Sequence, residues 1–315
     1  MVTPPSAAIA FLFPGQASQR AGMAAELLET EPAARRVFQQ AGDILGLDLA
    51  DVCTRGTGAL LTRTDVAQPA LLTTSLAWLA ALRERDIAPR MLAGHSLGEF
   101  AAWVASGALD FEPALRLVRR RGEIMAEAAD RNPGGMLAVI GLPDKQVIEF
   151  CQQAQSAGVV VAANFNSPGQ VVVSGEPDAL DKVVQLVEAA RGRALPLRVA
   201  GAFHSPLMDD AARTFAEFVA EAPIRCPTVP VVANATAEAV TDEESARRAI
   251  TKQMTSPVLW SASIRRMMTD GIELFVEVGP GRVLTNLVSR ISADARALPV
   301  GAPAELQTLL QEVKP

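Results

Sequence analysis

The 315-residue chain contains no tyrosine, only two histidines and only three cysteines. Without tyrosine, no phenol can serve as an acid, a base or a nucleophile. Cys53, Cys151 and Cys226 are too far apart to form a CxxC pair, which argues against a zinc site, and we expect no metal. The odd count also argues against a disulfide framework and favours a reducing cytoplasm. Any imidazole chemistry is limited to His95 and His204.

The chain also lacks a basic charge and a long apolar run. It has 29 basic and 35 acidic residues, a net charge of −6 and a pI near 5.2, which give no electrostatic footprint for nucleic acid. No apolar run approaches the ~20 residues that span a bilayer, and the N-terminus lacks the positive region of a signal peptide. We therefore expect a cytoplasmic protein that binds neither nucleic acid nor membrane.

Helical and strand-like segments alternate along the chain. The apolar run at residues 7–13 predicts a buried strand, and residues 21–90 have a mostly helical pattern. Helices that alternate with buried strands favour an α/β fold with a mainly parallel sheet. Breaks in the helical segment are expected at Gly46, Gly56, Gly58 and Pro69.

The pattern changes between residues 131 and 200. Its order is strand, helix, strand, strand, helix, strand, which is the βαββαβ order of a ferredoxin-like unit. The large-domain pattern resumes afterwards, so this unit reads as an insertion. We predict a small ferredoxin-like domain at 131–200 and an α/β-hydrolase-like catalytic domain with a parallel sheet, formed by 1–130 and 201–315.

A Gly-x-Ser-x-Gly pentapeptide occupies residues 94–98. Small neighbours allow a serine to sit in a strained strand-to-helix turn, where its hydroxyl is exposed. The free N–H groups and the dipole of the following helix suit an oxyanion. A purely structural turn is the alternative. The strand predicted before the motif and the helix predicted after it favour Ser96 as a nucleophile.

Serine is a weak nucleophile unless a base removes its proton. His95 adjoins Ser96, but neighbouring side chains on such a turn point apart, so we expect His95 to support the turn. His204 lies 108 residues downstream, which suits a base brought from another part of the fold. A structural role for this lone histidine is the alternative.

The chain resembles malonyl-CoA:acyl carrier protein transacylases and the related acyltransferase domains of polyketide synthases. The resemblance covers about residues 8–291, with one departure at Ala17, where glycine is usual. Seven separated blocks in the family's order are far more specific than one pentapeptide. They are Phe13-Pro14-Gly15-Gln16, Gly94 to Glu99, Arg121-Gly122, Asn164 to Gln170, Gly201 to Ser205, Gln253 before Ser256-Pro257-Val258, and Glu277 to Gly281.

The resemblance implies a role for each matching residue. Ser96 would be acylated, and His204 would act as its general base and then as the acid for the leaving thiol. The backbone N–H groups of Gln16 and Leu97 would form the oxyanion hole. Arg121 would bind the free carboxylate of the malonyl group, which a guanidinium can hold through two hydrogen bonds.

Further residues bear on the substrate site. The backbone carbonyl of Gln253 would orient the histidine, and His95 is placed in the site as support. In the polyketide relatives, phenylalanine just before the catalytic histidine accompanies malonyl, so the resemblance implies that Phe203, and Leu97 in the same way, favour malonyl over methylmalonyl. The physical reason is that a bulky ring crowds the space of an α-methyl, although one methyl is worth only ~1–3 kcal/mol. As alternatives, Gln16 could merely cap a turn and Gln253 could be a surface helix residue.

The resemblance implies an acyltransferase that moves malonyl from malonyl-CoA to the phosphopantetheine thiol of acyl carrier protein through a malonyl-serine. The expected partners are the carrier protein and a CoA thioester, with no cofactor, and the expected state is a monomer. The alternatives are a carrier-directed thioesterase, a silent docking module, and a polyketide synthase acyltransferase acting in trans; a malonate decarboxylase pathway also stays open. Because carriers are usually acidic, candidate docking residues are Arg119, Arg120, Arg191 and Arg193.

Overall fold

The computed structural model describes residues 8–313. The strands in this range are β1 (Ile9–Phe13), β2 (Met91–Gly94), β3 (Gly135–Ile140), β4 (Val160–Ser167), β5 (Gln170–Gly175), β6 (Arg193–Pro196), β7 (Val231–Val232), β8 (Ala239–Val240), β9 (Leu274–Val278) and β10 (Arg296–Val300). The helices are α1 (Ala25–Thr30), α2 (Pro32–Leu45), α3 (Leu49–Arg55), α4 (Gly58–Thr62), α5 (Thr64–Arg83), α6 (Gly98–Ala105), α7 (Phe111–Arg131), α8 (Asp144–Ala154), α9 (Pro177–Ala189), α10 (Asp209–Glu221), α11 (Glu243–Lys252), α12 (Trp260–Thr269), α13 (Val283–Ile291) and α14 (Pro303–Val313).

The main sheet has six strands in the order β10-β9-β1-β2-β7-β8. Every neighbouring pair is parallel except the edge pair of β7 and β8. All residues of β1 and β9 are buried, as expected for parallel strands covered by helices on both faces. The prediction of an α/β fold with a mainly parallel sheet is confirmed. No helix within residues 8–313 is long and apolar enough to cross a membrane.

Side chains of β1 alternate between two hydrophobic cores. Phe11 and Phe13 join a large core that contains Trp78 and Trp103. Ala10 and Leu12 join a second core on the other face, with Trp260. A strand that places apolar residues on both faces reads as a continuous apolar run, which is why its position was visible in the sequence.

The expected helix break at Pro69 is wrong, because Pro69 lies inside the 20-residue helix α5. Proline lacks the N–H that would bond the carbonyl of Asp65 four residues earlier. That carbonyl instead accepts a hydrogen bond from Nη1 of Arg119 on α7, at 3.0 Å. A tertiary contact therefore satisfies the group that Pro69 leaves unpaired, and the helix continues.

The three glycine breaks fall at helix ends. Gly46 and Gly56 are the C-cap residues of α2 and α3, and Gly46 has a left-handed φ of 63° that favours glycine. Gly58 is the first residue of α4, so that break lies just before it.

The second sheet has four antiparallel strands in the order β4-β5-β3-β6. Along the chain its elements follow the order β3, α8, β4, β5, α9, β6. Alternate residues of β3 face opposite ways: Leu137 and Val139 pack in a core beneath α8 and α9, whereas Met136 and Ala138 face the large core. Backbone hydrogen bonds between β4 and Val258 join this sheet to the rest of the molecule.

Candidate active site

Ser96 lies in the turn between β2 and α6, at the carboxyl end of a central parallel strand. Its φ is 50°, a left-handed value that is strained for a residue with a side chain. A Cβ added at Gly94 or Gly98 would lie 2.0 Å from backbone atoms, so both positions of the motif require glycine. The local pattern of the sequence thus explains the sharp turn that exposes the serine.

His204 lies against Ser96. The distance from His204 Nε2 to Ser96 Oγ is 2.7 Å. On the other side of the ring, Nδ1 lies 3.1 Å from the backbone carbonyl of Gln253 and 3.0 Å from that of Ser256. Because carbonyls only accept, Nδ1 carries the proton and the lone pair of Nε2 faces the serine.

The pKa of His204 is lowered from its ordinary value to about 3, mainly by burial and then by the positive charge of Arg121 and by His95. A histidine in this state is neutral at physiological pH and can accept a proton. It needs no carboxylate to fix its tautomer, because two backbone carbonyls do so.

Arg121 extends from α7 to the same cavity and is only 1% exposed. Its Nη1 donates to Oε1 of Gln68 at 2.8 Å, and its Nη2 donates to Oε1 of Gln253 at 2.9 Å. Nη2 also lies 3.5 Å from Ser96 Oγ. Burial lowers the pKa of Arg121 to about 10, against the opposing attraction of Glu99, so the guanidinium stays charged at neutral pH. A cation next to the serine, with neutral amides as its contacts, suits an anionic substrate group.

The predicted oxyanion donors lie at the ends of two neighbouring strands. Within residues 8–313, neither the Gln16 nor the Leu97 backbone N–H donates to another protein group, and both residues line the cavity. The N–H of Ser96, in contrast, is occupied by Oδ1 of Asn234 at 2.7 Å. Ala17, where glycine is usual, has a left-handed φ of 83°.

The cavity has a volume of about 280 Å³. The ring of Phe203, which is 5% exposed, forms part of its wall. His95 also lines it: Nε2 lies 2.8 Å from Oδ1 of Asn166, the ring packs 5.4 Å from Trp260, and burial lowers the pKa of His95. The structure therefore brings the predicted residues together. Seven of them line the cavity, namely Gln16, His95, Ser96, Leu97, Arg121, Phe203 and His204, and the eighth, Gln253, lies behind Arg121 and His204.

Three site residues were missed by sequence reasoning. Gln68 and Asn234 lie outside every recognised block, and no periodicity marks them. Asn234 also donates to the carbonyl of Gly94 at 2.6 Å, so it ties both sides of the serine turn. Glu99 is the last residue of the block at 94–99, but only its burial and contacts reveal it. Gln253 is 2% exposed, so it is not a surface residue.

Outside the cavity, the candidate docking arginines of α7 already have partners. Arg119 and Arg120 both pair with Glu123, and Arg120 stacks over the ring of Phe218 at 5.2 Å. Among residues 8–313, no cluster of three or more His, Cys, Asp or Glu side chains is arranged to hold a metal ion.

Comparison with known proteins gives consistent matches over most of the chain. Residues 10–304 match the family model described as acyl transferase domain. The malonyl CoA-acyl carrier protein transacylase of Bacillus subtilis is 40% identical over 308 residues, which cover 97% of each chain.

Solved structures agree closely with this fold. The malonyl-CoA:acyl carrier protein transacylase of Xanthomonas oryzae pv. oryzae superimposes with a TM-score of 0.94 at 39% identity, covering 98% of this chain and 99% of that one. A type II polyketide synthase acyl-carrier protein in complex with its malonyl-transacylase matches with a TM-score of 0.94 at 38% identity, over 96% and 99% of the two chains.

Proposed function

The chain belongs to the acyl transferase domain family, and from that we propose that it transfers malonyl from malonyl-CoA to the phosphopantetheine thiol of acyl carrier protein. One observation carries the proposal: a buried, charged guanidinium lies 3.5 Å from the hydroxyl of a serine that is paired with a neutral histidine. A malonyl thioester has both features that such a site addresses, namely an acyl carbon for the serine and a free carboxylate for Arg121.

In the first half-reaction, Nε2 of His204 takes the proton of Ser96, and Oγ attacks the thioester carbonyl of malonyl-CoA. The carbonyl oxygen becomes an oxyanion, which the free N–H groups of Gln16 and Leu97 stabilise; such donors are worth about 3–4 kcal/mol each. When the tetrahedral intermediate collapses, the carbon–sulfur bond breaks. His204 then gives its proton to the leaving sulfur, and CoA departs as the thiol.

In the second half-reaction, the carrier's phosphopantetheine thiol attacks malonyl-Ser96. His204 accepts the thiol proton and returns it to Ser96 Oγ as the ester breaks, so the enzyme is regenerated. The site performs both halves with one set of groups, because the carrier thiol takes the place that the CoA thiol has left. No step calls on a metal or a cofactor. The kinetics follow a ping-pong order.

Substrate choice follows from the walls of the cavity. Arg121 favours acyl groups that carry a carboxylate, and its planar guanidinium can hold two oxygens where a lysine would offer a point charge. The ring of Phe203 and the side chain of Leu97 restrict the space beside the α-carbon, which favours malonyl over branched relatives.

We also propose a division of the chain and a setting. Residues 131–200 form a ferredoxin-like domain inserted into an α/β-hydrolase-like domain of 1–130 and 201–315, which the βαββαβ order and the separate core under α8 and α9 support. The enzyme works as a monomer in the cytoplasm. The sparse cysteines, two of them buried thiols, favour a reducing compartment.

Intact-protein mass spectrometry after incubation with malonyl-CoA tests the nucleophile. We expect a single malonyl adduct on the wild-type enzyme and none on Ser96→Ala, with transfer reduced by about 10⁴-fold or more. Ser106→Ala, which removes a buried hydroxyl at the far end of the same helix, is the matched control and keeps the adduct. An adduct that persists in Ser96→Ala shows that another residue is acylated.

A second assay separates transfer from hydrolysis. Enzyme, labelled malonyl-CoA and carrier protein are mixed, and free malonate is measured beside malonyl-carrier. We expect the label to appear on the carrier. Release as malonate, with little malonyl-carrier, would instead identify a thioesterase.

A further inference from the structure

Glu99 is a buried carboxylate with no part in the reaction described above. It lies in the first turn of α6, three residues after Ser96, and is 1% exposed. Its Oε1 accepts a hydrogen bond from the backbone N–H of Asn234 at 3.1 Å, and its Oε2 accepts one from Nε2 of Gln253 at 2.5 Å. A buried carboxylate costs free energy unless its partners compensate it, so its position calls for an explanation.

The contact with Glu99 decides which way the Gln253 amide points. An ionised carboxylate has only acceptors, so it can face only the NH₂ end of the amide. The other end, Oε1, is therefore directed at Nη2 of Arg121, 2.9 Å away. The same NH₂ group donates to the carbonyl of Ser96 at 2.8 Å. One amide thus connects Glu99, the serine turn and the guanidinium.

We propose that Glu99 is a positioning residue for malonyl selection: it locks the Gln253 amide so that Arg121 is oriented and its charge is balanced across that amide. This inference rests on the proposed function, because it assigns how the carboxylate-binding arginine is held. Glu99 touches neither substrate nor the reacting atoms and acts through Gln253.

The intervening amide matters because of what direct contact would do. A carboxylate placed against the guanidinium would occupy the donors that a malonyl carboxylate needs. A buried guanidinium without any nearby negative charge would be strongly penalised. With Gln253 between them, Glu99 still attracts Arg121 and opposes the lowering of its pKa, while Nη2 remains 3.5 Å from the serine hydroxyl.

The carbonyls that orient the base do not depend on this side-chain amide, although its NH₂ group also holds the peptide unit between Ser96 and Leu97. The carbonyl that orients His204 belongs to the backbone of Gln253, and that backbone is held by its own hydrogen bond to Ala249 at the end of α11. A change at the Glu99 or Gln253 side chain therefore acts on the charge site more than on the Ser–His pair. This separation makes the proposal testable by acyl selectivity.

The test compares kcat/KM for malonyl-CoA and acetyl-CoA in Glu99→Gln, Gln253→Met and the double variant. A glutamine at 99 must turn its NH₂ group toward one of two donors, so it loses one of the two hydrogen bonds and the negative charge that balances Arg121. We expect the malonyl-to-acetyl ratio to fall about tenfold or more in each single variant, the scale of a lost hydrogen bond to a charged group. Because both side chains act through the same contact, the double variant should lose no more than the more impaired single variant.

Glu277→Gln is the matched control. Glu277 is equally buried, but among residues 8–313 its side chain bonds only Leu284 and Thr285. Its loss should therefore lower stability and leave the ratio unchanged. Equal losses for both substrates, or additive losses in the double variant, overturn the proposal. If Glu99→Gln does not fold, Gln253→Met alone tests the proposal. An unchanged malonyl-to-acetyl ratio in that variant would show that the Gln253 side chain does not connect Glu99 to Arg121, and would overturn the proposal. Failure of the wild type to form malonyl-serine would instead refute the proposed function.

Discussion

The two sheets contribute opposite kinds of side chain to one cavity. The main-sheet region, which we define as the elements packed on the six-stranded sheet, supplies Ser96, Arg121 and, behind them, Glu99. The base His204 comes from the segment between β6 and α10. The small-sheet region, residues 135–196, lines the cavity with neutral side chains, and the charged Arg198 lines it from the segment that follows β6. The neutral side chains are Met136, Ala138, Asn164, Asn166, Gln170 and Val172.

This difference shows that one region of the fold supplies Ser96 and Arg121 and the other shapes the cavity. Ser96 lies at the carboxyl end of a buried parallel strand and Arg121 lies on the long helix α7, whereas His204 lies in the segment between β6 and α10. The small-sheet region closes the cavity and lowers its polarity, which strengthens every electrostatic interaction inside. Substitutions in the main-sheet region should therefore abolish acyl transfer or change the acyl group that is transferred. Substitutions in the small-sheet region should change the rate only modestly.

The largest effect on acyl selection is expected from Arg121→Ala. Loss of the guanidinium should lower kcat/KM for malonyl-CoA. The loss should correspond to about 2–5 kcal/mol of transition-state free energy, the range for truncating a buried hydrogen-bonded charge. Uncharged acyl groups such as acetyl should be used relatively better. An acyl-CoA panel measures both.

Arg116→Ala is the control for this change, since Arg116 is on the same helix but is exposed and pairs with Glu112. It should leave the preference intact. A malonyl preference that survives Arg121→Ala would place the carboxylate site elsewhere in the cavity.

The pH profile of malonyl selection should show a smaller effect. Burial raises the pKa of Glu99 to about 7, so this carboxylate gains a proton as the pH falls through that value. It then loses its charge, and one of its oxygens no longer accepts from the donor that faces it. His204, with a pKa of about 3, keeps its free lone pair, and Arg121 keeps its charge. We expect kcat/KM for malonyl-CoA to fall below about pH 7 while that for acetyl-CoA stays nearly constant.

Glu99→Gln should remove the difference between the two profiles. A parallel decline of both substrates near pH 6.5 would show instead that an imidazole titrates there, and would contradict the neutral state of His204. The two groups change the stability of the folded chain in opposite directions as the pH falls. Protonation of Glu99 removes a buried charge and stabilises the folded chain. His204 destabilises it, because the unfolded chain takes up a proton that the buried imidazole does not.

The smallest expected effect comes from the small-sheet region. Asn166→Ala removes the partner of His95 Nε2, which should reduce stability and malonyl transfer by about 1 kcal/mol each, the value of one hydrogen bond. The acyl preference should not change. Thermal unfolding and the same acyl-CoA panel measure these effects. A loss of malonyl transfer in Asn166→Ala as large as that in Arg121→Ala would contradict the functional difference between the two regions.

Local patterns predicted much of this molecule. The glycines at 94 and 98 identified the serine turn because no other residue fits there, and the apolar run of β1 identified a central strand. The helix break at Pro69 was wrong because the compensating donor, Arg119, comes from a different helix. The supporting residues Gln68 and Asn234 were not found, because their partners lie 53 and 138 residues away.

The sequence by itself determined which chemistry was available: one serine on a glycine-flanked turn, two histidines, no tyrosine and no cysteine pair. Those limits are set by residue types and by neighbours a few positions apart. Only the tertiary structure decided that His204 meets Ser96 across 108 residues and that Arg121 is held by neutral amides with Glu99 one amide away. Long-range hydrogen bonds follow from how helices and strands pack, and no local periodicity encodes them.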